Sequence, residues 1–307
     1  MIQISVSAGS EGKLMLRTII VSLIVASTLA CDHLRHDDHA SAAAVVPEAE
    51  KIKHPELEPE LVFIPPSRCL IGSENRGAGE RPTHQVSLDG YYIGQFEVTN
   101  GQFKTFCDET GRKYPEARWT HHSHDASASY LIEKPSYPVV DVNWDDAVAY
   151  CKWLSEKTHK KYRLPTEAEW ENAARGGLEG KLYPWGDEPY DSNGSYRANC
   201  GSEADNDGVR SRDGFLYAAP VGSFPPNGYG IYDMAGNVWE WCSDVYDEQY
   251  YSRSPDANPE NSEVGDKRVV RGGSWFGGPD KLRCAARLWN YASIRYASTG
   301  FRVAMTP

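Results

Sequence analysis

The chain has 307 residues, and its hydrophobic content of 40%, with nine Trp and 18 Tyr, allows a sizeable core. Its 27 Gly and 19 Pro predict many turns. The formal net charge of −11 argues against nucleic acid and against an anionic membrane surface as partners, and it is compatible with cation binding.

The N-terminal part has the features of an export signal. A charged stretch ending at Arg17 precedes an apolar run over residues 18–30, which is short for a membrane span, and Cys31 follows. The sequence Leu29-Ala30-Cys31 is similar to a bacterial lipoprotein cleavage site. We therefore expect residues 1–31 to be a signal peptide ending in lipidated Cys31. The protein would then be exported and held at the membrane by its lipid anchor alone, facing the periplasm or the cell exterior. An uncleaved anchor and ordinary signal-peptidase cleavage are the alternatives.

Residues 32–58 are polar, with an Ala run and scattered acids and prolines. This composition predicts a flexible tether, because it offers little apolar surface to bury. Residues 59–307 show no internal repeat and are expected to form a single domain.

Several short apolar runs predict strands, bounded by Pro, Gly or Asp. The run at 61–64 begins the domain, the run at 139–142 lies in the middle of the chain, and the run at 268–270 precedes Gly-Gly-Ser. Two more flank Asp89-Gly90, which is a strong hairpin signal. In chain order these predicted strands are 61–64, 85–88, 91–93, 139–142 and 268–270.

Three helices are predicted from capping residues. Thr99 with Gln102 and Thr166 with Glu169 form capping boxes. Asn143 is an N-cap ahead of apolar residues at helical spacing. The first helix should end at Gly111 and the last near Gly176-Gly177, because glycine tolerates the left-handed conformation that follows a helix.

The region 113–137 lacks clear periodicity and predicts a long surface loop. It contains His121, His122, His124 and Asp125, a set that suits iron, copper or zinc. Adjacent residues such as His121 and His122 point apart in most conformations, so a solvated loop is the favoured interpretation.

Beyond Cys31 the chain has six cysteines, and an even number in an exported chain is consistent with disulfides. Six cysteines allow 15 pairings, which the sequence does not distinguish. Cys107 and Cys151 fall on inward helix faces, so we expect a buried pair or a disulfide. A structural disulfide between Cys242 and Cys284 is the preferred interpretation for those two. The six are Cys69, Cys107, Cys151, Cys200, Cys242 and Cys284.

The stretch 225–241 begins as a turn and continues as a loop in which Asp233, Gly236, Val238 and Glu240 are spaced i, i+3, i+5, i+7. Two carboxylates bracketing a glycine-containing loop can direct side-chain and backbone oxygens at one point, as calcium requires. The alternative is a tight turn with solvated acids beside two core tryptophans.

Ordered sequence blocks resemble the formylglycine-generating enzyme (sulfatase-modifying factor) family, and the resemblance covers roughly Leu61 to Ala304. In order, the blocks are Phe96-Glu97-Val98-Thr99-Asn100, Asp146-Ala147-Val148-Ala149-Tyr150-Cys151, Arg163-Leu164-Pro165-Thr166-Glu167-Ala168-Glu169-Trp170-Glu171, Tyr183-Pro184-Trp185-Gly186, the 225–241 stretch, Arg271-Gly272-Gly273-Ser274 and Gly300-Phe301-Arg302.

The resemblance implies an α+β fold: one sulfatase-modifying-factor domain related to C-type lectin-like folds, low in regular secondary structure. It also implies two calcium sites. The first would use the side chains of Asn199 and Asp213 with the carbonyls of Cys200 and Phe215. The second would use Asp233, Gly236, Val238 and Glu240, with Asp233 replacing the family's usual Asn.

The family oxidises a substrate cysteine with two thiols that hold copper(I), and soft thiolates suit that ion. The first thiol stands three residues after the Ser of Gly-Gly-Ser, where this chain has Gly277, and no cysteine follows until Cys284. Cys284 matches a disulfide cysteine of the family instead. Ser274 and Trp239 remain at positions that line the family's substrate groove.

The leading hypothesis is therefore a calcium-binding, non-catalytic lipoprotein that binds or regulates a protein or peptide partner in the cell envelope. One alternative is a divergent non-heme iron or copper oxidase, as in the family's ergothioneine-synthesis and pyoverdine-maturation branches, with the His121–Asp125 loop as its site. A second alternative is a true formylglycine-generating oxidase acting on a sulfatase cysteine, which the missing thiols disfavour.

Overall fold

The computed structural model describes residues 57–115, 134–201 and 213–307. These residues belong to one compact unit that spans 47–307. The predicted signal peptide with Cys31, nearly all of the predicted tether, and the loop cluster of His121, His122, His124 and Asp125 lie outside the described residues. Among the helices that are described, none combines the length and apolarity needed to cross a bilayer.

The three predicted helices are present, and each begins at its predicted cap. Helix α1 is Asn100–Thr110, α2 is Trp144–Thr158 and α3 is Glu167–Arg175. All three N-caps are complete capping boxes, in which the cap and the third helical residue bond each other's backbone N–H. Gly111 and Gly176 end α1 and α3 in the left-handed conformation, as expected.

In the described part of the chain, ten short strands form three small sheets. They are β1 Leu61–Ile64, β2 Ser67–Ile71, β3 His84–Leu88, β4 Tyr91–Gly94, β5 Lys161–Arg163, β6 Trp239–Val245, β7 Lys267–Arg271, β8 Arg287–Tyr291, β9 Thr299–Gly300 and β10 Ala304–Thr306. The sheet orders are β1-β4-β10-β5, β2-β3 and β8-β7-β6-β9. Only β6 with β9 is a parallel pair among these described strands. Short strands joined by long connections agree with the predicted α+β fold of low regular structure.

Two strand predictions are wrong. The strands flanking Asp89-Gly90 exist but do not pair with each other, because β3 pairs with β2 while β4 pairs with β1 and β10. Asp89 instead exchanges hydrogen bonds with Asn258. Residues 139–142 are not a regular strand, since Asp141 has a φ of 59° and interrupts the extended backbone.

The apolar side chains form two main clusters, one on α1 and α2 and the other around α3. In the first, the rings of Phe103, Tyr150 and Phe301 lie within 6.1 Å of one another and tie the two helices to the C-terminal segment. In the second, Trp170 is fully buried among residues of several strands. Burying an aromatic side chain of this size stabilises the folded state by on the order of 2–3 kcal/mol. Both clusters therefore contribute substantially to the stability of the domain.

All six cysteines of the described chain are free thiols, which corrects the predicted Cys242–Cys284 disulfide. Cys107 and Cys151 are buried, as predicted, and are likewise unbridged. Burial raises the pKa of the Cys69, Cys200 and Cys284 thiols to about 12 and that of Cys107 to about 11. These thiols are therefore protonated at neutral pH and behave as small apolar side chains.

Candidate functional site

The central loop reaches strand β6 through a sharply turning backbone. Asp233 and Asn237 both have a φ of 57°, and Gly236 between them has a φ of 81°. Three left-handed residues in five make this loop curl sharply. Asp233 and Asn237 are themselves buried.

The two chain segments of the first predicted cation set are in contact through Asp213. The Asp213 carboxylate accepts hydrogen bonds from the backbone N–H of Cys200 at 3.1 Å and of Phe215 at 3.0 Å. Asn199 is buried and donates from Nδ2 to the carbonyl of Tyr217. One carboxylate thus joins the two segments that were expected to share calcium, and amide, carboxylate and carbonyl oxygens are the ligands that calcium prefers.

In the second predicted set, Glu240 has a firm protein partner. Arg302 donates from Nε to Oε2 at 2.6 Å and from Nη2 to Oε1 at 2.7 Å, and Trp170 donates from Nε1 to Oε2 at 2.7 Å. Glu240, Arg302 and Trp170 are all fully buried. The pair is bidentate and charge-assisted, which is the strong geometry for such contacts. A cation bound by Glu240 would share the carboxylate with Arg302.

A third acid, Glu97, completes this cluster and was missed as a site residue by the sequence interpretation. Its Oε1 accepts a hydrogen bond from Asn237 Nδ2 at 2.8 Å, while its Oε2 is buried without a hydrogen-bond donor among the described residues. Burial and the neighbouring Asp233 raise the pKa of Glu97 well above its usual range. The available signal was the acid in the Phe96–Asn100 block, but no spacing rule connects it to residues 140 positions away.

The acidic and basic charges of this buried cluster do not balance. Because the raised pKa of Glu97 favours its protonated form, Asp233 and Glu240 against Arg302 leave the buried group with one surplus negative charge. Burial raises the pKa of Asp233 to about 6, since the charged carboxylate is poorly solvated there. A bound divalent cation would stabilise the ionised carboxylates of this cluster, so the residues present fit calcium at the second set.

In the described residues, no group of three or more His, Cys, Asp or Glu side chains, that of Glu97, Asp233 and Glu240 included, is arranged to hold a metal ion by itself. The two calcium sets are of a different kind, because half or more of their expected ligands are backbone carbonyls or amide groups.

The predicted groove residues Ser274 and Trp239 are buried, with exposed fractions of 1% and 8%. Ser274 Oγ accepts a hydrogen bond from the backbone of Phe276, and the Phe276 side chain is 59% exposed beside Gly277. Gly277 does not have a positive φ, and a Cβ built on it would lie no closer than 3.7 Å to Lys281 Cγ and the Ser274 carbonyl. The position therefore has room for a side chain.

These features define a class of protein: a single α+β domain whose irregular loops meet at an acidic, oxygen-rich centre. Residues 47–307 match the sequence profile of the sulfatase-modifying factor enzyme 1-like domain, so the chain belongs to the sulfatase-modifying factor family.

Relatives with similar sequence identity to this chain are named either as an enzyme or as an inactive protein. The formylglycine-generating enzyme of Thermomonospora curvata is 35% identical, with 82% of this chain and 95% of that protein covered. The inactive C-alpha-formylglycine-generating enzyme 2 of Mus musculus is 33% identical, covering 80% and 86%. Among solved structures, PvdO from Pseudomonas aeruginosa is 30% identical with a TM-score of 0.68, covering 81% of this chain and 95% of PvdO.

Proposed function

We propose that this protein is a calcium-binding member of the family that binds a protein or peptide partner and does not oxidise cysteine. The observation that carries the proposal is Gly277 at the position where the family's first copper-binding thiol stands. Because Gly277 has room for a Cβ, the backbone does not impose the absence of a thiol there. A relative at 33% identity whose name records inactivity is in keeping with a non-catalytic branch.

The remaining thiols do not replace the missing pair. In the described chain five cysteines are buried and Cys69 is half-buried. Burial raises the pKa of every one of them well above its usual value. Copper(I) that oxidises a peptide must be held by thiols that the peptide can reach, and largely buried thiols do not offer such a site.

The test of this proposal is a peptide containing Cys-x-Pro-x-Arg, incubated with the protein, copper(I) and oxygen and then analysed by mass spectrometry. We expect the cysteine to stay unmodified, with the Thermomonospora enzyme as the positive control. An aldehyde product above the protein-free blank would overturn the proposal.

Calcium is proposed at both sets, at Asn199, Cys200, Asp213 and Phe215 and at the acidic cluster around Asp233. The supporting observations are the shared Asp213 carboxylate and the burial of Asp233 and Glu240 beside a third acid, Glu97. Elemental analysis of the purified protein after dialysis against calcium should find about two calcium ions per chain and neither copper nor iron in stoichiometric amount. Stoichiometric iron or copper would favour the oxidase alternative.

The partner is proposed to contact the surface beside Gly277. Phe276 exposes an aromatic ring there and packs against Trp275, with ring centroids 5.6 Å apart. Exposed aromatic residues are frequent anchors of protein interfaces. A pull-down from envelope extract with the wild-type protein and with Phe276→Ser should recover a partner that the variant loses, while the variant keeps its melting temperature.

Export and lipidation at Cys31 are proposed on the sequence of residues 18–31. Growth with radiolabelled palmitate should label the wild-type protein and leave Cys31→Ser unlabelled. Equal labelling of both would contradict the lipoprotein proposal without affecting the proposals about calcium and the missing thiols.

A further inference from the structure

A cavity of about 590 Å³ lies between α2, β5, β6, β7 and the segment around Glu260. Its volume falls in the range of small-molecule pockets in proteins, which is about 300–1,000 Å³. Its lining shares no residue with the two cation sets or with Ser274, Trp239 and Gly277. The cavity is therefore a separate feature of the molecule.

The inner wall of this cavity is apolar. Cys151, Tyr162 and Leu164 are buried there, and Val148 at the rim is 36% exposed. Trp144 is fixed by a hydrogen bond of 2.9 Å from its Nε1 to the carbonyl of Cys242. Such a wall favours a ligand with an aromatic or branched apolar body.

One cation on the wall, Arg268, has most of its hydrogen-bonding capacity unused. Its guanidinium lies 3.9 Å from the centroid of the Trp144 ring, and its Nη1 donates to the carbonyl of Ser243 at 2.9 Å. Nε is buried with no acceptor, and no described residue accepts from Nη2 either. The Nε–Nη2 edge is the side of a guanidinium that binds a carboxylate through two parallel hydrogen bonds.

The other charges of the lining differ in how far they are satisfied. Arg163 is held in a bidentate pair by Glu169, so its guanidinium is not available. Lys152, Glu156 and Glu260 are exposed residues of the lining. Burial lowers the pKa of the Arg268 guanidinium, and it outweighs the opposing electrostatic effect of Asp145, Asp244 and Glu260.

We propose that this cavity binds a small organic carboxylate with an apolar body. The carboxylate would sit on the Nε–Nη2 edge of Arg268, and the apolar body would lie against Trp144 and Val148. Arg268 would move slightly to uncover Nε, and a charge-assisted pair in a largely apolar pocket is the strong form of this contact.

The probe for the test is phenylacetate, measured by isothermal titration calorimetry on the full chain, with neutral phenylacetamide as the matched ligand. We expect phenylacetate to bind at least tenfold more tightly than phenylacetamide, which corresponds to about 1.4 kcal/mol. Arg268→Gln should remove that preference, and Arg197→Gln, at an exposed pair with Glu188, should preserve it.

A second variant keeps the test decisive if Arg268→Gln destabilises β7. Val148→Trp adds bulk at an exposed helix position on the rim and changes no charge. We expect it to weaken phenylacetate binding at least tenfold while the melting temperature stays near that of the wild type. Equal affinity for the two ligands, unchanged binding to Val148→Trp, or no detectable binding of millimolar phenylacetate would each overturn the proposal.

Discussion

The backbone carbonyl of Asn199 accepts a hydrogen bond of 2.8 Å from the backbone N–H of Asn237. The Nδ2 of Asn199 also lies 3.4 Å from Oδ1 of Asn237. Asn199 belongs to the first cation set, and Asn237 lies inside the loop that carries the second. The two proposed calcium sites are thus joined through one backbone contact, and a change in either should be felt at the other.

Removing calcium should lower the melting temperature. At a calcium concentration a hundredfold above the dissociation constant, binding stabilises the native state by about 2.7 kcal/mol per site. Differential scanning calorimetry with calcium and with EGTA measures the shift. Asp213→Ala should reduce the shift, whereas Asp108→Ala, at an exposed carboxylate on α1, should leave it unchanged. The same melting temperature with calcium and with EGTA would refute the calcium proposal.

Gly236→Ala should destabilise the protein by more than its backbone conformation alone explains. A Cβ at this residue would lie 2.1 Å from the carbonyl oxygen of Asn199, and φ is 81°. Gly230 is a matched control, since its φ is 78° and a Cβ there would meet nothing within 4 Å. Urea unfolding should show a loss of about 1 kcal/mol for Gly230→Ala and a larger loss for Gly236→Ala. Equal losses in the free energy of unfolding would mean that the backbone at Asn199 moves away from a Cβ at residue 236 at little cost.

Arg302→Met should be strongly destabilising in calcium-free buffer. The substitution leaves Glu240 without its buried cationic partner. Breaking such a pair lowers the free energy of unfolding by roughly 3–5 kcal/mol. Arg253→Met removes an exposed pair with Asp247 and should cost about 1 kcal/mol or less. Chemical unfolding measures both variants. Should Arg302→Met lose no more than Arg253→Met, the buried pair would not be a stabilising element.

Asp244 should make stability fall as pH rises. Burial, followed by the nearby Glu167, raises the pKa of Asp244 from 3.8 to about 7. Because the folded state favours the protonated form, its contribution is fully present below pH 3.8 and is lost as pH rises to about 7. The loss is on the order of 4 kcal/mol at most, at about 1.36 kcal/mol per pKa unit.

The measurement for Asp244 is the free energy of unfolding between pH 4 and 8 for the wild type and for Asp244→Asn. Asparagine retains an acceptor for the backbone N–H of Glu167 or Asn261, both of which bond Asp244 in the native protein. The difference between the two proteins should therefore change with pH in the stated direction. A constant difference would show that Asp244 titrates near its ordinary pKa.

Gly277→Cys should be tolerated and should not create activity. The nearest contacts of its Cβ, at 3.7 Å, are ordinary van der Waals distances, so the free energy of unfolding should change by about 1 kcal/mol or less. The new thiol should react with Ellman's reagent faster than the native buried cysteines. A single thiol still lacks its partner, so peptide oxidation should remain absent. Aldehyde formation by this variant would show that one thiol suffices.

Local signals determined the helices. Thr99 with Gln102 and Thr166 with Glu169 were readable as reciprocal caps because every group involved lies within four residues of its partner. The family could also be recognised in the sequence, since its motif blocks keep their order. The sharp loop around Gly236 was indicated by spacing for the same local reason, and calcium binding there stays a prediction.

Tertiary structure decided the pairings over long sequence separations. No hairpin forms at Asp89-Gly90, because β3 pairs with β2 and β4 pairs with β1. Glu97 and Arg302 join the acidic centre from positions 205 residues apart in sequence, and no periodicity connects them. Local propensity sets a cap or a turn. Which buried charges meet is set by how the sheets stack, because an unpaired charge in the interior is too costly to keep.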